Sequence, residues 1–195
     1  IKTETVAKMR HWLAAMSHPD GEIAFFNDSA FGIAPNLTES NEYAERLKHP
    51  VQKAPSDGVL CLAESGYVRL QHGDAVLMVD AAPIGPSYLP GHAHADTLSF
   101  ELSLHGQRVM VNSGTSCYGS GLERQRQRGT AAHNTLIVDG KDSSEVWGGF
   151  RVARRAQVQS WDIEETAGGI RVEADHDGYQ RLSGCNLHRR SWLIN

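Results

Sequence analysis

Gly91-His-Ala-His-Ala-Asp-Thr-Leu-Ser-Phe-Glu-Leu102 is the stretch from which the rest of the chain is read. Two histidines two residues apart run into a period-2 alternation that puts Leu98, Phe100, Leu102 and Leu104 on one side. In an extended chain, side chains at i and i+2 point the same way. The spacing predicts a strand over Thr97–Leu104. If strand geometry already holds upstream, His92, His94 and Asp96 sit on the side that continues into the apolar core. Imidazoles at such a rim are either structural groups satisfied by the backbone or chemical ones. Two so spaced can converge on one metal ion, or one can bind metal while its neighbour faces substrate. Asp96 is then placed to orient one of them as an acceptor behind the ligand.

A third histidine, His133 in Thr130-Ala-Ala-His-Asn-Thr-Leu-Ile-Val-Asp-Gly140, enters a run of strand-forming residues in the same manner. It is read either as a further ligand or, with Asn134, as a turn cap. Outward from these two motifs the texture after Pro55 is that of short strands: Val59–Leu62, Tyr67–Leu70, Ala75–Val79, Arg108–Val111, Thr135–Val138, Val152–Gln159, Ile170–Ala174 and Leu187–Ile194. Gly, Asp, Asn and Ser punctuate them, which predicts an antiparallel sandwich. No strand–helix–strand rhythm supports a doubly wound parallel sheet. Before Pro55, Val6, Met9, Leu13 and Met16 recur at helical spacing, so a helix is expected over Thr5–Met16 and is stopped by Ser17-His-Pro-Asp-Gly21. A shorter helix is expected around Glu39–Leu47. The boundary between helical and β material falls at 50–56.

Composition bounds the function. The 195 residues, 40% apolar, suffice for one large domain. A net charge of −4 and a pI near 6.2 argue against a nucleic-acid footprint. No apolar run is long enough for a membrane helix. Cys61, Cys117 and Cys185 show no metal-like pairing and are expected to be buried free thiols. Asn27-Asp-Ser29 and Asn36-Leu-Thr38 match a glycosylation sequon, a motif too short to carry weight alone. Arg124, Arg126 and Arg128 alternate, followed by Arg151, Arg154 and Arg155. They are read as a solvated face or as an anion-recognising one, since guanidinium pairs with carboxylate or sulfate in two-pronged fashion. Tyr118, Trp147 and Trp161 are read as core aromatics or as stacking surfaces for sugar rings.

Taken together, His94–Leu102, Val111-Asn-Ser-Gly-Thr-Ser-Cys-Tyr-Gly119, Ala131–Gly140, Trp147-Gly-Gly-Phe150 and Asp175-His-Asp-Gly-Tyr179 resemble the heparinase II/III-like family of polysaccharide lyases. Pro19–Asp28 resembles the end of that family's helical domain. The resemblance implies a mainly β fold, a large antiparallel β-sandwich preceded by the last helix or helices of an (α/α) toroid. Residues 1–55 would be the end of the toroid and the linker, and 56–195 the front portion of the sandwich, both ends being cut from a longer protein. It implies cleavage of a uronic-acid-containing polysaccharide by β-elimination, with a catalytic Tyr and Asn/His supplied from upstream. By motif, His92 matches the histidine that projects into the cleft. His94 and His133 match two ligands of a structural metal, usually zinc, and Asn112 stands where a ligand Asp is typical. An amide oxygen is a weaker zinc ligand than a carboxylate. Tyr118, Arg124, Arg126 and Arg128 are expected to meet the acidic glycan. A periplasmic or secreted location follows from the resemblance, and a homodimer is left open. Two other readings remain: a catalytically silent glycan-binding sandwich, and a cupin-like metalloenzyme built on His92, His94 and His133.

Overall fold

The computed structural model describes residues 3–195. A first helix, α1 (Thr3–Ala15), matches the expected one. Its C-terminal carbonyls are received by the buried Arg69, which donates to Ala15 O at 3.0 Å and Ser17 O at 2.7 Å. Cations near a helix C-terminus satisfy the orphan carbonyls and oppose the dipole. Of the expected apolar stripe, only Met16, just past the helix end, is buried; Val6 and Met9 are exposed. The second helix, α2 (Leu37–Arg46), starts two residues earlier than expected because Asn36 and Glu39 form a reciprocal capping box.

Five strands follow as an antiparallel meander: β1 (Gly58–Leu62), β2 (Tyr67–His72), β3 (Ala75–Asp80), β4 (Phe100–Leu104) and β5 (Gln107–Met110). The polar helix α3 (Leu122–Arg128) comes next, then the small hairpin β6 (Val146–Trp147) and β7 (Arg151–Val152). A second sheet, ordered β10-β9-β8, is built from β8 (Val158–Thr166), β9 (Gly169–His176) and β10 (His188–Ile194). The two larger sheets form the sandwich. Val68, Leu70, Leu77, Val79 and Leu98 meet Ile170, Val172, Ala174, Trp192 and Ile194 in one buried cluster. Alternation along β2 and β3 sends the intervening residues to the opposite face. There Tyr67, Val76 and Met78 pack on Met16, Ala24 and Phe26. The five-stranded sheet is therefore covered on both sides, by the second sheet and by the segment that follows α1.

The covered second face is polar along β4. Glu101 and Ser103 are fully buried there. His18 bridges them, with Nε2 2.7 Å from Glu101 Oε2 and Nδ1 2.7 Å from Ser103 Oγ. The other carboxylate oxygen of Glu101 accepts the backbone N–H groups of Phe25 (3.0 Å) and Asn112 (2.8 Å). A buried carboxylate is tolerated only with its lone pairs engaged, and here the engagement fastens the 18–25 segment to the sheet.

Three expectations are corrected. The strand expected over Thr97–Leu104 begins at Phe100, because Leu98 is left-handed (φ 62°) and breaks the alternation. Its N–H goes to Asp80 O at 2.9 Å while Ser99 N–H turns back to Asp96 O at 2.7 Å. His92, His94 and Asp96 thus lie on a loop rather than on a pleated edge. Thr135–Val138 makes no ladder among the described residues beyond a bridge from Val138 to Lys141. Of the three free cysteines, Cys61 and Cys185 are exposed, not buried.

His176 and His188 face each other across β9 and β10. Gly178 N–H donates to His176 Nδ1 at 3.0 Å, so His176 must present Nε2–H to His188 Nδ1 at 2.9 Å. Both rings are neutral in this chain of bonds. Burial, with the His188 charge added, pushes His176 down to about 3, and burial pushes His188 down to about 4. The unfolded chain binds protons on these rings as pH drops below about 6.5 while the folded chain does not, so stability falls through that window. We expect the thermal midpoint to drop between pH 7 and pH 5, and His188→Gln to shrink that drop. His133, which titrates in the same range, keeps its own share. An unchanged pH dependence in the variant would show that the pair carries none of it.

Candidate functional site

Asp28 is the centre of the site. It lies in the segment held on the sheet by Glu101 and Tyr67, and its side chain is nearly buried. Oδ2 accepts from His92 Nδ1 at 2.9 Å and Oδ1 from His94 Nε2 at 2.8 Å. The guanidinium of Arg124 adds a two-pronged pair to both oxygens, its Nη2 at 2.8 Å from Oδ2. Burial raises the Asp28 carboxyl, but hydrogen bonds from His94, Arg124 and His92 outweigh it and hold the carboxyl well below the usual range. An ionised Asp28 can only accept. His92 and His94 therefore donate from Nδ1 and Nε2, and in the neutral form of each ring His92 Nε2 and His94 Nδ1 are the lone pairs.

These two lone pairs have different surroundings. The His92 side chain is 65% exposed, so its Nε2 is open to a ligand. His94 is fully buried, and its Nδ1 has no hydrogen-bond partner. Beside it, both ring nitrogens of buried His133 also lack partners. One ligand atom from each of His94, Asp96 and His133 lies within 4.8 Å of the others. Burial pushes His133 down to about 4, so its imidazole is neutral at neutral pH. Unpartnered buried nitrogens are rare in folded proteins. Two imidazoles and a carboxylate are a donor set that fits a divalent ion such as zinc. The Asp28–His94 bond is the carboxylate–histidine contact that orients ligating imidazoles.

The structure thus brings His94 and His133 together as expected, and the converging carboxylate is Asp96. Asn112, expected as the third ligand, sits alongside and uses its Oδ1 to accept Asn134 N–H at 3.1 Å. It fixes the backbone next to His133. The Asn112–Thr115 turn is pressed onto the Asp28 segment. Thr115 N–H donates to Ser29 O at 3.0 Å, and a Cβ on Gly114, at φ 58°, would come within 2.4 Å of that oxygen. Only glycine fits there.

The arginines are placed otherwise than expected. On α3, residues i and i+4 share a face, and Arg124 and Arg128 both turn inward, fully buried. Arg128 donates to Ala93 O at 3.0 Å, Gly148 O at 3.2 Å and Arg151 O at 3.2 Å, and Arg124 to Gly149 O at 3.0 Å. They grip the β6–β7 turn, which rests on Gly119: a Cβ on Gly149 would lie 2.2 Å from Gly119 O. Arg126 alone points to solvent, already bidentate with Glu123 at 2.7 and 2.8 Å. The turn delivers Phe150, which stacks on Tyr118 at 5.8 Å with the Arg124 guanidinium 5.2 Å from the Tyr118 ring. Tyr118 is in turn 6.1 Å, edge-on, from His92. Both aromatics are about half exposed, and so is Trp147. Asp28 and Phe150 were not singled out from sequence. Asp28 stands 64 residues from His92 in a turn-like Asn-Asp-Ser, and no local spacing announces it.

The chain is thus an antiparallel sandwich with an exposed histidine braced on a buried carboxylate, beside a His-Asp-His cluster. A model of the heparinase II/III-like C-terminal domain matches residues 55–195, and the chain belongs to that family. Similar solved structures include a heparinase III, the BT4657 gene product (TM-score 0.71, 20% identity, covering 97% of this chain and 30% of that one). They also include the heparan sulfate lyase HepC from Pedobacter heparinus (TM-score 0.69, 23% identity, 97% and 30%). A further heparinase III has a TM-score of 0.69 at 19% identity, with 98% and 32% covered. The chain spans about 30% of the length of these proteins, and at these identities the likeness is one of fold. A search of curated protein sequences finds no match. No helix of the described residues is long and apolar enough to cross a membrane. The open homodimer finds no support among these relatives.

Calorimetric titration with Zn²⁺ checks the cluster. We expect one ion per chain, with affinity at least about tenfold weaker in Asp96→Asn. Asn112→Ala should lower stability yet keep the stoichiometry. Equal loss in both variants would restore Asn112 as a ligand.

Proposed function

We propose that this chain is the β-domain portion of a polysaccharide lyase that cleaves a uronic-acid-containing polysaccharide by β-elimination. The observation that carries the reading is His92. It is exposed, its Nδ1–H is fixed by a buried carboxylate, and its Nε2 is left open beside an aromatic wall. β-Elimination removes the proton at C5 of the uronate, forms the C4–C5 double bond and breaks the C4–O4 bond, with a proton delivered to O4. His92 Nε2 is suited to accept a proton or to hold the substrate carboxylate in its cationic form. The partner acid is expected from the upstream tyrosine that the family resemblance implies. Tyr118 and Phe150 offer π-faces on which a sugar ring can stack, and Arg124 and Arg128 act by holding that wall in place. Arg126 is the one arginine of the three with a solvent-facing guanidinium.

Zinc is the metal proposed for His94, Asp96 and His133. When bound it supplies a fixed positive charge that ties the 92–96 loop to the 130–134 segment. His94 and Asp96 then set the backbone from which His92 projects. The relatives named as heparan sulfate lyase and heparinase III point to a glycosaminoglycan as the first substrate to try, with alginate next. A periplasmic or secreted location belongs to the same proposal.

The full-length protein should raise the ultraviolet absorbance of an unsaturated uronate on one acidic polymer. His92→Ala should lower that rate by about 100-fold or more with the thermal midpoint kept, whereas His94→Ala should lower the midpoint first. Absorbance that never rises, with the glycan still bound, would favour the silent glycan-binding reading.

A further inference from the structure

A cavity whose lining leaves out His92 includes Asn27, the residue before Asp28. It encloses about 620 Å³ and is lined by Asn27, Tyr67, Ile84, Ser87, Arg155 and Gln157, with Glu64 and Ser65 at one side. That volume is in the range of small-ligand sites. Two polar groups in its wall are under-used. Tyr67 is buried, and burial together with the charges of Asp80 and Asp96 pushes its hydroxyl well above 10, so it keeps its proton. Its oxygen accepts from Asn27 Nδ2 at 3.1 Å, yet its own O–H finds no acceptor among the described residues. Arg155 spends one N–H on Ser87 O at 3.2 Å and has no carboxylate partner within salt-bridge distance among the described residues. It is the one cation among the described residues of the lining. The remaining wall is apolar, from Ala82, Pro83, Ile84 and Pro86.

A phenol donor with no acceptor and a guanidinium with no carboxylate partner among the described residues both belong to the lining of one cavity, and together they suit an anion with fixed acceptors. A carboxylate meets both demands, since guanidinium binds it in two-pronged fashion and a phenol adds a third bond. The amide of Gln157 and the carboxylate of Glu64 supply donor and acceptor groups suited to ring hydroxyls. The apolar wall suits the C–H face of a pyranose. We propose that this cavity is a separate binding site for a carboxylate-bearing sugar ring, held by Arg155 and the Tyr67 hydroxyl, and distinct from the His92 face. The choice of a sugar rests on the lyase reading; the choice of a carboxylate rests on the cavity itself. Asn27 joins the two regions, because its Nδ2 serves Tyr67 while its Oδ1 accepts His94 N–H at 3.2 Å.

The test is equilibrium binding of free glucuronate, which has no glycosidic bond to cleave, to the full chain, with glucose as the uncharged control. We expect glucuronate to bind and glucose not to. Arg155→Gln should weaken binding about tenfold or more, and Tyr67→Phe, which keeps the buried ring, several-fold. His92→Ala should leave it unchanged. No binding of glucuronate overturns the proposal. Binding that survives Arg155→Gln but is lost in His92→Ala overturns it too, placing the sugar at the His92 face and leaving the lyase reading standing. Glucose bound as well as glucuronate also overturns it, since the cavity would then not be reading the carboxylate.

Discussion

One buried carboxylate, that of Asp28, holds together three parts of the chain that are remote in sequence. It is 64 and 66 residues from His92 and His94, and 96 from Arg124. The charge arithmetic explains why a buried arginine is among its partners. A lone buried carboxylate would be neutralised by protonation. Arg124, itself fully buried, supplies the compensating charge, and the two imidazoles fill the remaining lone pairs. Withdrawing Arg124, the buried cation of the set, would leave the Asp28 charge uncompensated, typically at a cost of about 3–5 kcal/mol. The same set dictates the tautomers of both histidines. It thereby decides that one lone pair faces solvent and the other faces the buried His-Asp-His cluster.

The rest of the fold can be read as what brings Asp28 to that position. The five-stranded sheet buries both faces, and its second face is given over to the segment after α1. Glu101, His18 and Ser103 fasten the beginning of that segment, and Phe26 with Tyr67 fastens its middle. On the far side, α3 turns a polar face inward. Its arginines hold backbone carbonyls of the β6–β7 turn, so that Phe150 and Tyr118 stand beside His92. The exposed aromatic wall and the buried ion-pair network are two sides of one arrangement.

Much of this was legible in the sequence. The sandwich followed from short alternating runs, and the pairing of His94 with His133 from the family resemblance. What was hidden has physical reasons. Leu98 adopts a left-handed backbone that alternation cannot announce, so the His-Ala-His-Ala-Asp stretch became a loop. On that loop, Asp96 swings to the cluster as a third candidate ligand instead of standing behind it. Arg124 and Arg128 read as a charged surface because inward-facing helical positions are normally apolar, and here the core of that helix is polar. Asp28 was invisible because its partners are contributed by distant segments, and its own neighbourhood reads as a turn.

The account turns on Asp28 fixing the protons of His92 and His94, and this is measurable without substrate or metal. Long-range ¹⁵N–¹H spectra of the histidine side chains in the metal-free chain, at a pH where both rings are neutral, report which nitrogen carries each proton. The account predicts Nδ1–H for His92 and Nε2–H for His94, with both preferences lost in Asp28→Asn. Opposite tautomers in the unmodified chain, or tautomers that survive that substitution, would contradict it.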